Sequence, residues 1–327
     1  MMDRRDFLRL AAAAGLLGPA GFSCQGASPA AAPSTPLGTR YLERGLVALS
    51  DAHHRGWLRG HYGAAVLSSY YFARENGLDE RTARALESNI EAFIERSPGE
   101  FPAPDPGRGT ADAARIVERL DGQIADLRVG GHDVIFAALA LRALRDLPAF
   151  ATPSVVDGIC RLLELVVSRN APVQDTPYNR AHPLPEFAGS KDIATITLRE
   201  TLRPWGDVMS VGASGVVHWI THADSLVTLD ELGHAGTARR GHAALRLHVN
   251  RQGGADPRNE PDRAPVDWLG PAYWESDTPR RLFGGSWLAG HAFKLPYSLF
   301  RLLRREDDPQ VRTEVLVRAS HLQVPFE

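Results

Sequence analysis

The sequence has very few lysines, only two cysteines and no excess of positive charge. Of its 37 lysine and arginine residues only Lys191 and Lys294 are lysines, and the formal net charge is −2. A chain without a basic field attracts nucleic acid poorly, so we expect no nucleic-acid partner. Two cysteines make no disulfide framework; Cys160 lies in a helical apolar pattern and is expected to be a small buried hydrophobe.

Several motifs of common enzymes are also missing. The sequence contains no convincing GxGxxG after a strand, no P-loop, no HExxH and no GxSxG. A bound nicotinamide or ATP is therefore not supported. Beyond the N-terminal segment, no apolar run is long enough to predict a membrane-spanning helix.

The N-terminus has the pattern of an export signal. Arg4-Arg5 is followed by Phe7-Leu8 and a short apolar run, which resembles a Tat signal. We therefore interpret residues 1–32 as a Tat-type signal peptide and tether, and 38–327 as a single all-helical domain. This predicts a periplasmic or extracytoplasmic protein that uses the Tat export machinery. Lipidation of Cys24, which would tether the chain to a membrane, is an alternative, although the residues before Cys24 make a poor lipobox.

Apolar residues recur with helical periodicity along almost the whole domain. Short turns rich in Gly, Asn, Asp and Pro divide the pattern into helix pairs. The pairs are 56–74 with 80–96, 130–145 with 153–169, 215–232 with 235–248, and 286–305 with 310–319. Further helices are predicted over 39–51 and 111–127, and the alternation of Ile193, Thr195 and Thr197 suggests a small β-hairpin at 192–202.

The first helix of each pair is apolar on several faces, whereas the second is more amphipathic. This contrast predicts an all-α fold: a helical (α/α) toroid or bundle of about four repeated hairpins, with inner and outer helix layers. The long connectors 97–129, 170–214 and 250–285 each precede an inner helix. We expect them to lie at the rim where those helices begin, where they could wall a pocket.

Four histidines occupy matching places near the starts of the four inner helices: His61, His132, His222 and His291. Burying four imidazoles in an apolar centre is costly unless something pairs with them, and a metal ion does so. His218 is a fifth candidate, since it lies four residues before His222 on the same helical face. A lone histidine on an apolar helix is more often a hydrogen-bonded core residue, which is the alternative for each of them.

Other groups near these helix starts are candidates for supporting roles. Lys294 follows His291 by three residues in an apolar stretch, where a buried lysine could act as a base or be carboxylated; the alternative is a side chain that reaches to solvent. Asp224 is proposed as a catalytic or imidazole-orienting group, and Asp133 is a second neighbour of this kind. The tryptophans and tyrosines near the same ends could line an aromatic substrate pocket: Trp57, Tyr62, Trp219, Trp287 and Tyr297. The remaining histidines on outer helices are expected at the surface: His234, His242, His248 and His321.

Three stretches carry a family resemblance: His61-Tyr62-Gly63-Ala64-Ala65, His218-Trp219-Ile220-Thr221-His222 and His291-Ala292-Phe293. In them the chain resembles the questin-oxidase-like family. The resemblance implies a non-haem iron oxygenase that acts on a polyketide-like aromatic ring, with His61, His218, His222 and His291 as the matching ligands. It also allows a carboxylated lysine at the iron, for which Lys294 is the candidate.

The leading hypothesis is an exported, metal-dependent oxidoreductase that acts on a small organic substrate. Iron is the expected metal, with zinc or copper as alternatives. One competing hypothesis is a carbohydrate-active toroid, a hydrolase, lyase or epimerase; histidines more than about 8 Å apart would favour it. The other is a non-catalytic helical-repeat binding protein, which predicts a broad groove and solvent-facing histidines.

Overall fold

The computed structural model describes residues 37–181, 183–202, 214–250, 266–277, 279 and 289–320. Within these residues the chain is all-α: α-helices and short 3-10 segments account for its regular structure, and no strand occurs. The predicted fold class is thus confirmed. None of the described helices is both long and apolar enough to cross a membrane. The predicted signal peptide and Cys24 lie outside the described residues.

The first half of the domain contains five long helices and one shorter helix. Its helices are α1 (Arg40–Asp51), α2 (Gly60–Glu75), α3 (Glu80–Arg96), α4 (Ala114–Asp121), α5 (His132–Asp146) and α6 (Pro153–Arg169). The second half contains α7 (Pro177–Ala181), α8 (Ser190–Thr201), α9 (Ser214–Glu231), α10 (Ala235–Arg240), α11 (His242–Leu245), α12 (Pro271–Glu275), α13 (Ala289–Leu303) and α14 (Pro309–Ser320). Short 3-10 segments include Trp57–Arg59 before α2 and Arg246–Asn250 after α11.

Local sequence explains where several of these helices begin. The Asp79 side chain accepts a hydrogen bond of 2.7 Å from the backbone N–H of Thr82, and so caps the start of α3. Pro153 opens α6, where a missing N–H costs nothing. Gly131 directly precedes α5 and has a left-handed φ of 81°, which residues with a side chain rarely adopt.

The four histidine-bearing helices pack in a closed cycle. Helix α2 contacts α13, α13 contacts α9, α9 contacts α5, and α5 contacts α2. These helices are buried on most sides, as the apolar composition of their surfaces predicts. Their N-terminal ends therefore meet around one region of the interior, which is what brings distant residues together.

The predicted outer layer is present only in part. Helices α3, α6 and α10 pack against α2, α5 and α9 respectively, as expected for hairpins. Helix α1 packs between α2 and α6, and α8 packs against α9, α13 and α14, so the described helices do more than repeat one hairpin. The toroid arrangement remains a prediction.

Three sequence-based expectations are wrong in detail. Residues 192–201 belong to the helix α8, with Leu202 as its C-cap, rather than to a β-hairpin. The helix predicted over 111–127 is shorter, with bounds Ala114–Asp121. The outer helix predicted over 235–248 is divided into α10, α11 and the 3-10 segment Arg246–Asn250.

Candidate metal centre

Four histidine side chains converge where the cycle of helices meets. One ring nitrogen of each of His61, His132, His218 and His291 lies within 4.8 Å of the others. The Nε2 atoms are 2.8 Å apart for His61 and His132, 3.2 Å for His132 and His218, and 2.9 Å for His218 and His291. All four side chains are largely buried. This set is a buried histidine cluster that could hold one metal ion.

Backbone carbonyls fix the orientation of two of these rings in the same way. Nδ1 of His61 lies 2.8 Å from the carbonyl oxygen of Leu58. Nδ1 of His132 bonds to the carbonyl oxygen of Val129, again three residues earlier. Because a carbonyl oxygen can only accept, both Nδ1 atoms carry the proton, and both Nε2 atoms present a bare lone pair.

The Nε2 contact between His61 and His132 is therefore not an ordinary hydrogen bond. In the neutral rings two acceptor nitrogens face each other at 2.8 Å in an apolar interior, an unfavourable contact that a bound cation would relieve. Protonation of one ring is disfavoured. Burial, together with repulsion from Lys294 and neighbouring imidazoles, holds the pKa of both His61 and His132 well below the usual value. A metal ion satisfies the lone pairs without requiring a proton.

Lys294 is buried beside this cluster, not at the surface. Its side chain is 1% exposed, so the solvent-reaching alternative is excluded, and its Nζ has no hydrogen-bond partner among the described residues. Burial lowers the pKa of Lys294 to about 7. Its charge is among the largest influences on the pKa values of His61 and His132, which places it near the centre.

The other predicted site residues take different positions. His222 is fully buried but lies outside the group of four; its Nδ1 is 3.0 Å from Nε2 of His248. Asp224 accepts a hydrogen bond of 2.7 Å from Nε of Arg301 in a buried salt bridge, and its proposed catalytic role remains a prediction. Asp133 accepts from Nε2 of Gln123 at 3.3 Å, and burial raises its pKa to about 7.

Four of the five predicted histidines form the cluster, and one further buried histidine was not expected. His222 belonged to the four matching helix-start histidines, but the cluster contains the fifth candidate His218, one helical turn earlier. His248 was expected at the surface, yet it is 9% exposed and paired with His222. No sequence spacing indicated this position of His248, because the predicted outer helix is divided into short segments there.

Two consecutive glycines make room for the rings of α9. A Cβ on Gly130 would lie 2.6 Å from Cγ of His218, and a Cβ on Gly131 would lie 2.6 Å from Nδ1 of His222. Both glycines have left-handed φ angles, 76° and 81°. The loop before His132 thus approaches α9 more closely than any residue with a side chain would permit.

Of the aromatic residues predicted to line a pocket, Trp57 lies beside this centre. Its ring centroid is 5.2 Å from that of His132 and 6.3 Å from that of His61. Tyr62 stacks on Phe93, and Trp219 lies 6.1 Å from His248. Trp287 lies outside the described residues. Only a small part of the predicted aromatic pocket is thus beside the cluster.

Comparison with known proteins adds no relative at this point. The chain matches no family model, no curated protein and no solved structure. Its function must therefore be inferred from the cluster itself.

Proposed function

We propose that this protein is an exported, metal-dependent oxidoreductase with a non-haem iron ion held by His61, His132, His218 and His291. The observation that carries the proposal is the pair of facing lone pairs on His61 and His132, in a cluster where burial disfavours protonation. Neutral imidazole nitrogens are suitable ligands for iron, copper, nickel and zinc.

The close spacing of the ring nitrogens supports a single shared ion. Three of the Nε2–Nε2 separations are 2.8, 3.2 and 2.9 Å, and one ring nitrogen of each histidine lies within 4.8 Å of the others. Iron bound there would supply one-electron chemistry, which zinc would not.

The resemblance to the questin-oxidase-like family supports the same proposal. That resemblance implies an oxygenase acting on an aromatic ring, and Trp57 offers one aromatic face beside the cluster. It also allows a carboxylated lysine. A buried Lys294 with no hydrogen-bond partner among the described residues, and with a pKa near neutrality, has the neutral amine that reacts with carbon dioxide.

The two alternative functions fit the described residues less well. The carbohydrate-active hypothesis was favoured by histidines more than about 8 Å apart, whereas the cluster lies within 4.8 Å. The non-catalytic hypothesis expected solvent-facing histidines, whereas all four are largely buried. Neither alternative explains why four imidazoles share one point in the core.

Metal analysis of the purified protein tests the proposal. We expect about one iron per chain after expression with iron, and loss of most of that metal in His132→Ala. His54→Ala, at an exposed histidine, is the matched control and should keep the metal. Wild-type protein without stoichiometric metal, or His132→Ala that retains it, would refute the metal centre, whereas zinc alone in repeated preparations would refute the redox function.

Export is proposed from the N-terminal pattern and has its own test. Replacing Arg4-Arg5 with two lysines should abolish Tat-dependent transport, since the machinery reads the twin arginine. Cell fractionation of the wild-type and altered chains measures this. Equal amounts of both chains outside the cytoplasm would contradict it.

A further inference from the structure

A second pair of buried histidines lies beside the four-histidine cluster. His222 is on α9, one helical turn after His218, and His248 is in the 3-10 segment Arg246–Asn250. Nδ1 of His222 and Nε2 of His248 are 3.0 Å apart. His222 is fully buried and His248 is 9% exposed, so the pair leads from the interior toward the surface.

The hydrogen bond in this pair couples the tautomers of its two rings. If His248 donates from Nε2, then His222 accepts at Nδ1 and carries its own proton on Nε2. If His222 donates from Nδ1, then His248 accepts at Nε2 and carries its proton on Nδ1. Two neutral rings are therefore either both Nε2–H or both Nδ1–H, since any mixed state opposes two donors or two lone pairs.

The more deeply buried ring of the pair, that of His222, has a polar atom with no hydrogen bond in the described part of the chain. Nε2 of His222 has no hydrogen-bond partner among the described residues. Burial lowers the pKa of His222 to about 3, so the ring stays neutral near physiological pH. An unsatisfied buried nitrogen is unfavourable, and such groups often mark a place where a ligand or a reacting group binds.

The pair is also close to the metal centre. The ring of His222 packs against Gly131, the residue that directly precedes His132. A positive charge on His248 is close enough to lower the pKa of His132. Proton movement in the pair would thus occur next to the groups proposed to hold the metal.

We propose that His222 and His248 form a proton relay that connects the four-histidine centre with the protein surface. This inference rests on the proposed function, because an oxidation or oxygenation needs protons delivered to a site closed to water. In one transfer, His248 gives its Nε2 proton to Nδ1 of His222, and His222 gives its Nε2 proton to the basic oxygen atom that the reaction generates at the centre. Nδ1 of His248 then takes one proton from outside, so one proton moves inward and both rings remain neutral.

Nitrogen NMR of the protein labelled with ¹⁵N-histidine tests the coupled tautomers without any substrate or metal. His222→Gln and His248→Gln variants assign the two rings, and His54→Gln is the control at an exposed histidine. We expect both rings to be neutral at pH 7 and to share one tautomer, or to exchange together between the two. Opposite tautomers, or a positive charge on either ring at pH 7, would overturn the relay.

The His248→Gln variant separates proton transfer from a merely structural role. A glutamine amide can keep the hydrogen bond to His222 but cannot pass a proton by changing tautomer. We expect unchanged metal content and melting temperature, with oxidation of the iron(II)-loaded protein by dioxygen slowed at least about tenfold. In His248→Ala, added imidazole should restore the rate, because His248 is the member of the pair nearer to solvent.

An unchanged oxidation rate in His248→Gln would also overturn the relay. Failure of the proposed function has a different signature. In that case the wild-type chain would bind no stoichiometric iron, while the NMR measurement would still decide whether the two rings are coupled.

Discussion

Replacing Lys294 with methionine should stabilise the metal-free protein. The lysine is 1% exposed and its Nζ has no hydrogen-bond partner among the described residues, so the charged form has little to offset its burial. Methionine fills a similar volume without an ionisable group. A protein that keeps such a lysine gives up stability at a site that function can use.

The size of the effect follows from the pKa of Lys294, which burial lowers from the ordinary 10.5 to about 7. The unfolded chain binds this proton up to a pH near 10.5, whereas the folded chain releases it near 7. The buried lysine therefore lowers the free energy of unfolding by its full amount below pH 7. This loss shrinks as the pH rises from 7 to 10.5 and is absent above 10.5. Each pKa difference of one corresponds to about 1.4 kcal/mol, so the penalty is about 4 kcal/mol at pH 7.5 and about 1.4 kcal/mol at pH 9.5.

Denaturant unfolding of both proteins at pH 7.5 and 9.5, in buffer free of metal and carbon dioxide, measures this difference. We expect Lys294→Met to be more stable by about 4 kcal/mol at pH 7.5, and by much less at pH 9.5. Lys191→Met is the control, since Lys191 is exposed and paired with Asp307; its effect should be small and should not decline in this way. A Lys294→Met protein that is no more stable than wild type at pH 7.5 would refute the reasoning.

Three further predictions concern the centre and its support. Calorimetry in buffers of different ionisation enthalpy at pH 6 should show that metal binding releases fewer protons than the about three expected of four ordinary histidines, because burial holds the pKa of His61 and His132 well below the usual value. Gly131→Ala should reduce metal affinity in a metal titration and lower the melting temperature, because its Cβ would meet Nδ1 of His222 at 2.6 Å and its φ is left-handed; Gly77→Ala, with φ of 56° but nothing within 4 Å, controls for backbone strain alone. Arg301→Met should lower the free energy of unfolding by about 3–5 kcal/mol, because it leaves Asp224 buried without its partner. Denaturant unfolding measures this loss, and adding Asp224→Asn should recover much of it. No recovery would mean that Arg301 stabilises the fold through Glu231 or Glu75 instead.

The fold class could be predicted because apolar periodicity is set by the helix itself. The error at α8 has a physical cause in the same sequence. Thr197 and Thr201 are β-branched or hydroxyl-bearing residues that favour strands, but within the helix their hydroxyls donate to the carbonyls of Ile193 and Thr197, four residues back. Packing against α9 then stabilises the helical conformation of this segment.

The site could be predicted as a set of candidates but not as a ligand group. His218 and His222 share a face of α9. The axial position of α9 relative to α5 decides which of the two contacts His132. That axial position depends on the close approach of Gly130 and Gly131 to α9, which the periodicity of the sequence does not indicate. The partnership of His222 with His248 depends in turn on how the segment after α11 folds back, so it was beyond prediction from spacing.

The histidine cluster can form only when four distant parts of the chain have folded together. Its members come from positions 61, 132, 218 and 291, one on each helix of the cycle. A fragment that lacks any one of these helices cannot assemble the cluster, so the proposed metal would bind fully only to a chain in which all four helices have folded. If the proposed export of a folded chain also holds, a bound ion would mark the molecules that have folded before transport.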